Sequence, residues 1–184
     1  MRPRRVVGVE WTRAAAADAA ARVVHVAVRE GGHTSLHAAA GPDAAIALVV
    51  DLAMEEPETL IGLGFALSVT GEVARARGWR SAGEVWRAAA TGEAAGAAPE
   101  ADLQGMARLM LLCDAGVGVW PFDPVRLPLA VGLTPDPAPP GPPDRAAARA
   151  AAALAAHLPD LAGLPAVVPG DRLTGRPVGP WGGA

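Results

Sequence analysis

In RVVHVAVR, residues 22–29, apolar and polar positions alternate and place Val24, Val26 and Val28 on one side, the two-residue period of a half-buried strand. The β-branched run RVVGVEW at 5–11 predicts a strand before it, and HTSLHAA at 33–39 predicts a third strand returning after the EGG turn. The N-terminal third therefore reads as an antiparallel meander with hairpin connections. After GPD the period lengthens: Ile46, Val49, Val50, Ala53 and Met54 fall on one helical face, and Pro57 ends that helix. TLIGLGF at 59–65 then predicts a strand so close behind the helix that parallel pairing with the first strand, through a right-handed crossover, is the expected connection.

The middle of the chain is helical. SAGE at 81–84 has the Ser-x-x-Glu spacing of a capping box, Val85 and Trp86 begin the apolar face, and Gly92 closes the helix. A single further helix is predicted over about 100–114, with Leu103, Met106, Ala107, Met110 and Leu111 as its buried stripe and Leu109, Leu112 and Cys113 widening it. Strands follow at 116–120 and 129–133. Six prolines between 134 and 143 exclude a regular helix or a central strand. The organisation is then one domain: a core over 1–135, a Pro-rich linker at 136–143, a C-terminal helix over 144–164 packed on the core, and a Pro/Gly-rich tail at 165–184.

Composition changes this picture little. Half of the 184 residues are hydrophobic, 51%, but many are alanine, so core-building falls to Val, Leu, Ile, Met and Trp. The absence of Lys, Tyr and Asn fits codon bias in a GC-rich bacterial genome. A net charge of −3 gives no global field for a polyanion, so nucleic-acid binding would need a local patch. One cysteine, Cys113, makes no internal disulfide, and its apolar helical surroundings point to a structural thiol. Nothing approaches a membrane span, and the N-terminus lacks a signal-peptide pattern, so the expected location is cytoplasmic.

The order β-β-β-α-β-α-α-β-β followed by a helix predicts an α/β fold with a mixed five-to-six-stranded sheet: three antiparallel strands, then parallel additions, flanked by helices. This is the RNase H-like arrangement. VVGVEWT (6–12), LIGLGFALSV (60–69), GVGVWPFD (116–123) and AVGLTP (130–135) resemble, in order and spacing, four motifs of a widespread uncharacterised prokaryotic family of predicted RNase H-like nucleases. The resemblance covers roughly residues 5–135. It implies an Asp where this chain has Glu10, an Asp where it has Gly64 and a Glu in the place of Gly132. It retains Trp120, Pro121, Phe122 and Asp123 of the third motif, and it implies a late acid for which Asp144 and Asp160 are the nearby candidates.

Carboxylates of that kind hold two divalent metals about 4 Å apart, one activating water and one stabilising the leaving oxygen. Glycine supplies neither charge nor side-chain oxygen, so Gly64 and Gly132 look like degenerate positions of a dismantled site, against the bland alternative that each marks a strand end or a close backbone approach. The expectation is a pseudoenzyme without cofactor, acting by binding or assembly through a protein partner or as a homodimer. The alternative is a Mg²⁺- or Mn²⁺-dependent nuclease or phosphodiesterase with a reduced carboxylate site, Glu10 and Asp123.

Other constellations are weaker. Arg75, Arg77 and Arg80 around Trp79 could hold a phosphate and stack a base, though a solvated turn anchored by one Trp is the commoner use of such a segment. His33 and His37 share a strand face, and His25 could sit across the ladder from them, which would open a metal site; no carboxylate is placed to orient them. Ser68 and Thr70 lack a basic partner at recognisable spacing. VGVEWT is similar to the first phosphate strand of actin-like ATPases but lacks their glycine-rich hydroxyl turn. A contact surface is expected around Trp120, Phe122 and the proline-rich segments at 134–143 and 165–180.

Overall fold

The computed structural model describes residues 3–10, 23–120, 122–123 and 126–132. The linker, the C-terminal helix, the tail, Asp144 and Asp160 lie outside the described residues. The order is β1 (Arg5–Glu10), β2 (Val23–Glu30), β3 (His33–Ala40), α1 (Pro42–Glu55), β4 (Thr59–Leu63), α2 (Gly71–Ala76), α3 (Ala82–Thr91), α4 (Glu100–Met106), α5 (Leu109–Asp114), β5 (Gly118–Trp120) and β6 (Leu129–Gly132).

The strands form one six-stranded mixed sheet in the order β3-β2-β1-β4-β6-β5. β1, β2 and β3 are antiparallel, and the β2–β3 hairpin turns through Gly31 and Gly32 at φ 54° and 85°, the left-handed pair that matches the twist of its strands. β4 joins β1 in parallel after the α1 crossover, as expected, and β6 and β5 add in parallel beyond it. β6 lies inside β5, which precedes it in sequence, so β5 is an edge among the described strands. β4 and β6 are buried along their whole length, the continuous burial of parallel strands covered on both faces.

One face carries Val7, Val9, Val24, Val26, Val28, Ile61, Leu63, Val119 and Ala130, which share a single apolar cluster with residues of all five helices. From α1, Ala45, Ile46, Val49 and Ala53 enter that cluster. The helix carries no basic residue in its last turn. Arg5 on β1 supplies the charge instead, donating to Leu52 O at 2.8 Å, which also accepts from Glu56 N at 3.2 Å, and pairing with Glu55 and Glu30 at 3.4 Å, a cation placed at the negative end of the helix dipole. On the other face Val6, Ala27, Leu60, Leu129, Val131 and Trp120 are also buried.

The capping box forms: Ser81 Oγ accepts from Glu84 N at 3.3 Å, while the Glu84 carboxylate accepts from Arg80 N at 2.5 Å, one residue earlier than the usual partner. Gly92 ends α3 at φ 83°. The predicted single helix over 100–114 is instead two. Ala107 and Arg108 form the break, where Arg108 N and Leu111 N bond three residues back, to Gly105 O and Arg108 O, the tighter turn that interrupts α-helical pairing. The bend lets Arg108 reach Asp43 Oδ1 at 2.7 Å and Gln104 O at 2.7 Å. The six-residue α2 has no apolar period long enough to predict it; Thr70 Oγ1 caps it by accepting from Val73 N at 3.4 Å.

Candidate functional site

Three adjacent parallel strands, β1, β4 and β6, end together, and the sequence-predicted positions Glu10, Gly64 and Gly132 all lie at that end. The carboxyl edge of parallel strands is where open α/β sheets place ligands. Val9, Leu63 and Gly132 are register partners across the three strands, and the ladder runs one step further through Gly64 N to Val9 O at 2.9 Å. Because side chains alternate across a strand, Glu10 and Gly64 share one face and Gly132 belongs to the other. The structure therefore brings positions 10 and 64 together and directs 132 away from them.

Gly132 faces the apolar cluster. A Cβ there would meet Leu67 Cγ at 3.0 Å and Phe65 O at 3.4 Å. Both neighbours belong to the loop after β4, whose Phe65, Leu67 and Val69 are buried. Phe65 lies so close to α4 that a Cβ on Gly105 would sit 2.5 Å from its ring. Trp86 on α3 donates Nε1–H to Leu67 O at 2.7 Å, and Asp102 Oδ1 accepts from Ala66 N at 3.2 Å. The loop thus fills the space that a side chain at 132 would need.

Glu10 is half-buried, and its antiparallel register partner is His25. The two side chains leave the same face of neighbouring strands, where directly opposed residues are within reach of each other. His25 Nδ1 is shielded from solvent and makes no hydrogen bond among the described residues. This overturns the expected histidine cluster: His25 pairs with Ala38, whereas His37 pairs with Val26, so His25 and His37 project to opposite faces. His37 Nε2 instead meets Ser35 Oγ at 3.2 Å on its own strand. It also corrects the expectation that no carboxylate lies beside these histidines, since Glu10 adjoins His25. The pair was invisible in the sequence because residues 11–22, between the two strands, leave their register open.

Asp123 does other work. Its Oδ2 accepts from Val119 N at 2.8 Å while its own N–H donates to Val119 O at 2.9 Å, a local bond of the kind Asp uses to fold a turn. β5 lies three strand intervals from β1, about 14 Å by strand spacing alone. The structure does not bring Asp123 to Glu10.

Trp120 is 0% exposed and Phe122 packs edge-on against Trp86, ring centroids 5.5 Å apart. Trp120 is therefore not available to the contact surface expected here, whereas Phe122 stays half-buried against Trp86. Segments 134–143 and 165–180 lie outside the described residues. In the arginine cluster, Arg77 donates to Glu93 O at 3.2 Å and Ala95 O at 3.0 Å, and its guanidinium lies 5.9 Å from the Trp79 ring centroid. It pins the loop after α3, while Arg75 and Arg80 are exposed.

Cys113 on α5 is half-buried, and its thiol is pushed up to about 11, first by burial, then by the charges of Asp123 and Asp114. A thiol so seldom ionised is a poor nucleophile. Asp43 is held below the usual carboxylate range by its hydrogen bond to Arg108 and then by that guanidinium's charge. Among the described residues no group of three or more His, Cys, Asp or Glu side chains is placed to hold a metal ion, and no helix is long and apolar enough to cross a membrane.

Comparison with family models, curated proteins and solved structures found no match to the chain.

Proposed function

We propose that this chain is an RNase H-like domain, akin to the predicted-nuclease family, that has given up metal-ion chemistry and acts by binding or assembly. The fold reading is supported by the run β3-β2-β1-β4, antiparallel through three strands and then parallel, with further parallel strands beyond. The observation that carries the functional reading is the filling of position 132 by Leu67 and the Phe65 carbonyl. An acid there would have to displace buried apolar side chains, and it would point away from Glu10. The described neighbours of Glu10 at the strand ends include His25 and Gly64, and among the described residues no set of clustered carboxylates of the kind a metal pair needs is placed there.

The reading is tested by incubating the protein with single- and double-stranded RNA and DNA in Mg²⁺ or Mn²⁺, beside a Glu10→Gln preparation. The expected result is no cleavage by the unmodified chain above that control. Metal-dependent cleavage that disappears in Glu10→Gln would overturn the reading and promote the nuclease alternative.

A further inference from the structure

Among the described residues, the outer edge of the sheet at β3 is long and carries no further strand. β3 runs for eight residues, HTSLHAAA, and pairs with β2 without a skipped residue from Val23↔Ala40 to Glu30↔His33. Its other side pairs with no described strand. Alternate backbone N–H and C=O groups along it face outward, a template for one more strand. The devices that ordinarily blunt such an edge are missing from these eight residues: there is no Lys, Arg, Asp, Glu or Pro, and no bulge. Leu36, at mid-strand, is 47% exposed, and His33, His37, Ala38 and Ala40 are exposed with it.

We propose that β3 is a self-association edge, and that a second copy of this chain pairs with it antiparallel about a two-fold axis normal to the sheet. That axis keeps each face of the sheet on its own side, so paired residues must share a face and their numbers must differ by an even count. The register that centres Leu36 on its symmetry mate sets Ser35 against the mate's His37, Thr34 against Ala38 and His33 against Ala39. Every pair in it is free of opposed carboxylates and of opposed arginines, so no like-charge repulsion resists closure. It joins two leucines that are otherwise half in water, and Ser35 opposite His37 repeats across the axis the contact the two already make within one strand. This self-complementarity of β3, with exposed Leu36 at its centre and no charged side chain to repel its mate, commits the edge to a second copy as the occupant. One strand pair buries little surface, so the dimer is reversible and concentration-dependent.

The inference rests on the assembly half of the function proposed above and is independent of the carboxylate half; cleavage assays and mass measurements therefore fail separately. The test measures the mass of the full chain by light scattering across a concentration series, beside Leu36→Lys. The unmodified chain is expected to rise towards twice the chain mass, and Leu36→Lys to stay at one chain mass with an unchanged circular dichroism spectrum. A Leu36→Cys chain is expected to form an intermolecular disulfide on mild oxidation that Met54→Cys, on α1, does not. A chain that stays monomeric at every concentration overturns the proposal. So does a dimer that survives Leu36→Lys, which would place the contact on another surface.

Discussion

The two edges of the sheet are built in opposite ways. β5 is three residues long, ends in Trp120 at 0% exposure, and is bracketed by α5 before it and the Asp123 turn after it. β3 is eight residues long and mostly exposed. A short, covered edge offers no ladder to a neighbour, whereas a long bare one does. The difference follows from what the chain does next to each strand. Between β4 and β6 it folds four helices and one short strand against the sheet; after β3 it sends α1 across a single face, and no described strand pairs with the rim. Among the described strands, the rim at β3 is therefore the side on which the proposed pairing would extend the sheet.

The covered edge breaks first by removing its anchor. Trp120→Ala is expected to cost about 3–5 kcal/mol, the range for deleting a large buried aromatic side chain, read as a fall in the urea midpoint. Trp120→Phe should cost much less. The buried indole Nε1 has no hydrogen-bond partner among the described residues, so the substitution loses volume but also removes an unmet donor, which is itself worth about 1–3 kcal/mol. If the two substitutions cost the same, Trp120 does not anchor that edge by its packing.

A smaller effect separates the strand ends from the edges. Gly132→Ala places a methyl group 3.0 Å from Leu67 Cγ and is expected to destabilise by about 1–3 kcal/mol, as inserting atoms into a packed core does. Gly132→Ala with Leu67→Val relieves the contact and should recover part of that loss, since the two sites touch and their effects do not add. A neutral Gly132→Ala would show that the position has room, and with it room for the acid that the resemblance implies.

Much of this architecture was legible in the sequence. The alternation at 22–29 and the helical period from Ile46 to Ala53 are long enough to be read locally, and both the meander and the parallel crossover followed from them, although Met54, expected on the same face, is 66% exposed. The break at Ala107–Arg108 was not, because apolar residues run unbroken through it and the interruption is tied to the bond between Arg108 and Asp43, 65 positions away in sequence; with the break the buried residues are Leu103, Met106, Leu109 and Leu112, and Leu111, expected in the stripe, is 52% exposed. The strand order at the covered edge was hidden for the same reason: nothing local says that β6 inserts inside β5. At the site, the glycines could be seen, but not that Gly132 lies on the opposite face from Glu10, since facing depends on register. Trp120 looked like a surface because local sequence does not say that it is buried, nor that Trp86, 36 positions upstream, packs against Phe122.

The finest contrast between the edges is chemical. Cys113 lies on α5, beside the covered edge, with its thiol raised from the ordinary 9.0 to about 11. At pH 8 it should react with iodoacetamide far more slowly than a cysteine placed on the bare edge by Leu36→Cys, which has an ordinary thiol's exposure. The same shift predicts a pH dependence of stability. Below pH 9 the thiol is protonated in both folded and unfolded chains and contributes nothing to the difference. Between about 9 and 11 the unfolded chain releases its proton while the folded chain keeps it, so the folded state binds more protons and stability must fall as pH rises. The composition makes this readable: the chain holds one cysteine and no lysine or tyrosine, so no other side-chain type ordinarily titrates in that window. Urea midpoints should therefore decline between pH 9 and 11 in the unmodified chain and stay flat in Cys113→Ser. A decline of equal size in both would show that the α5 side of the sheet does not shield the thiol.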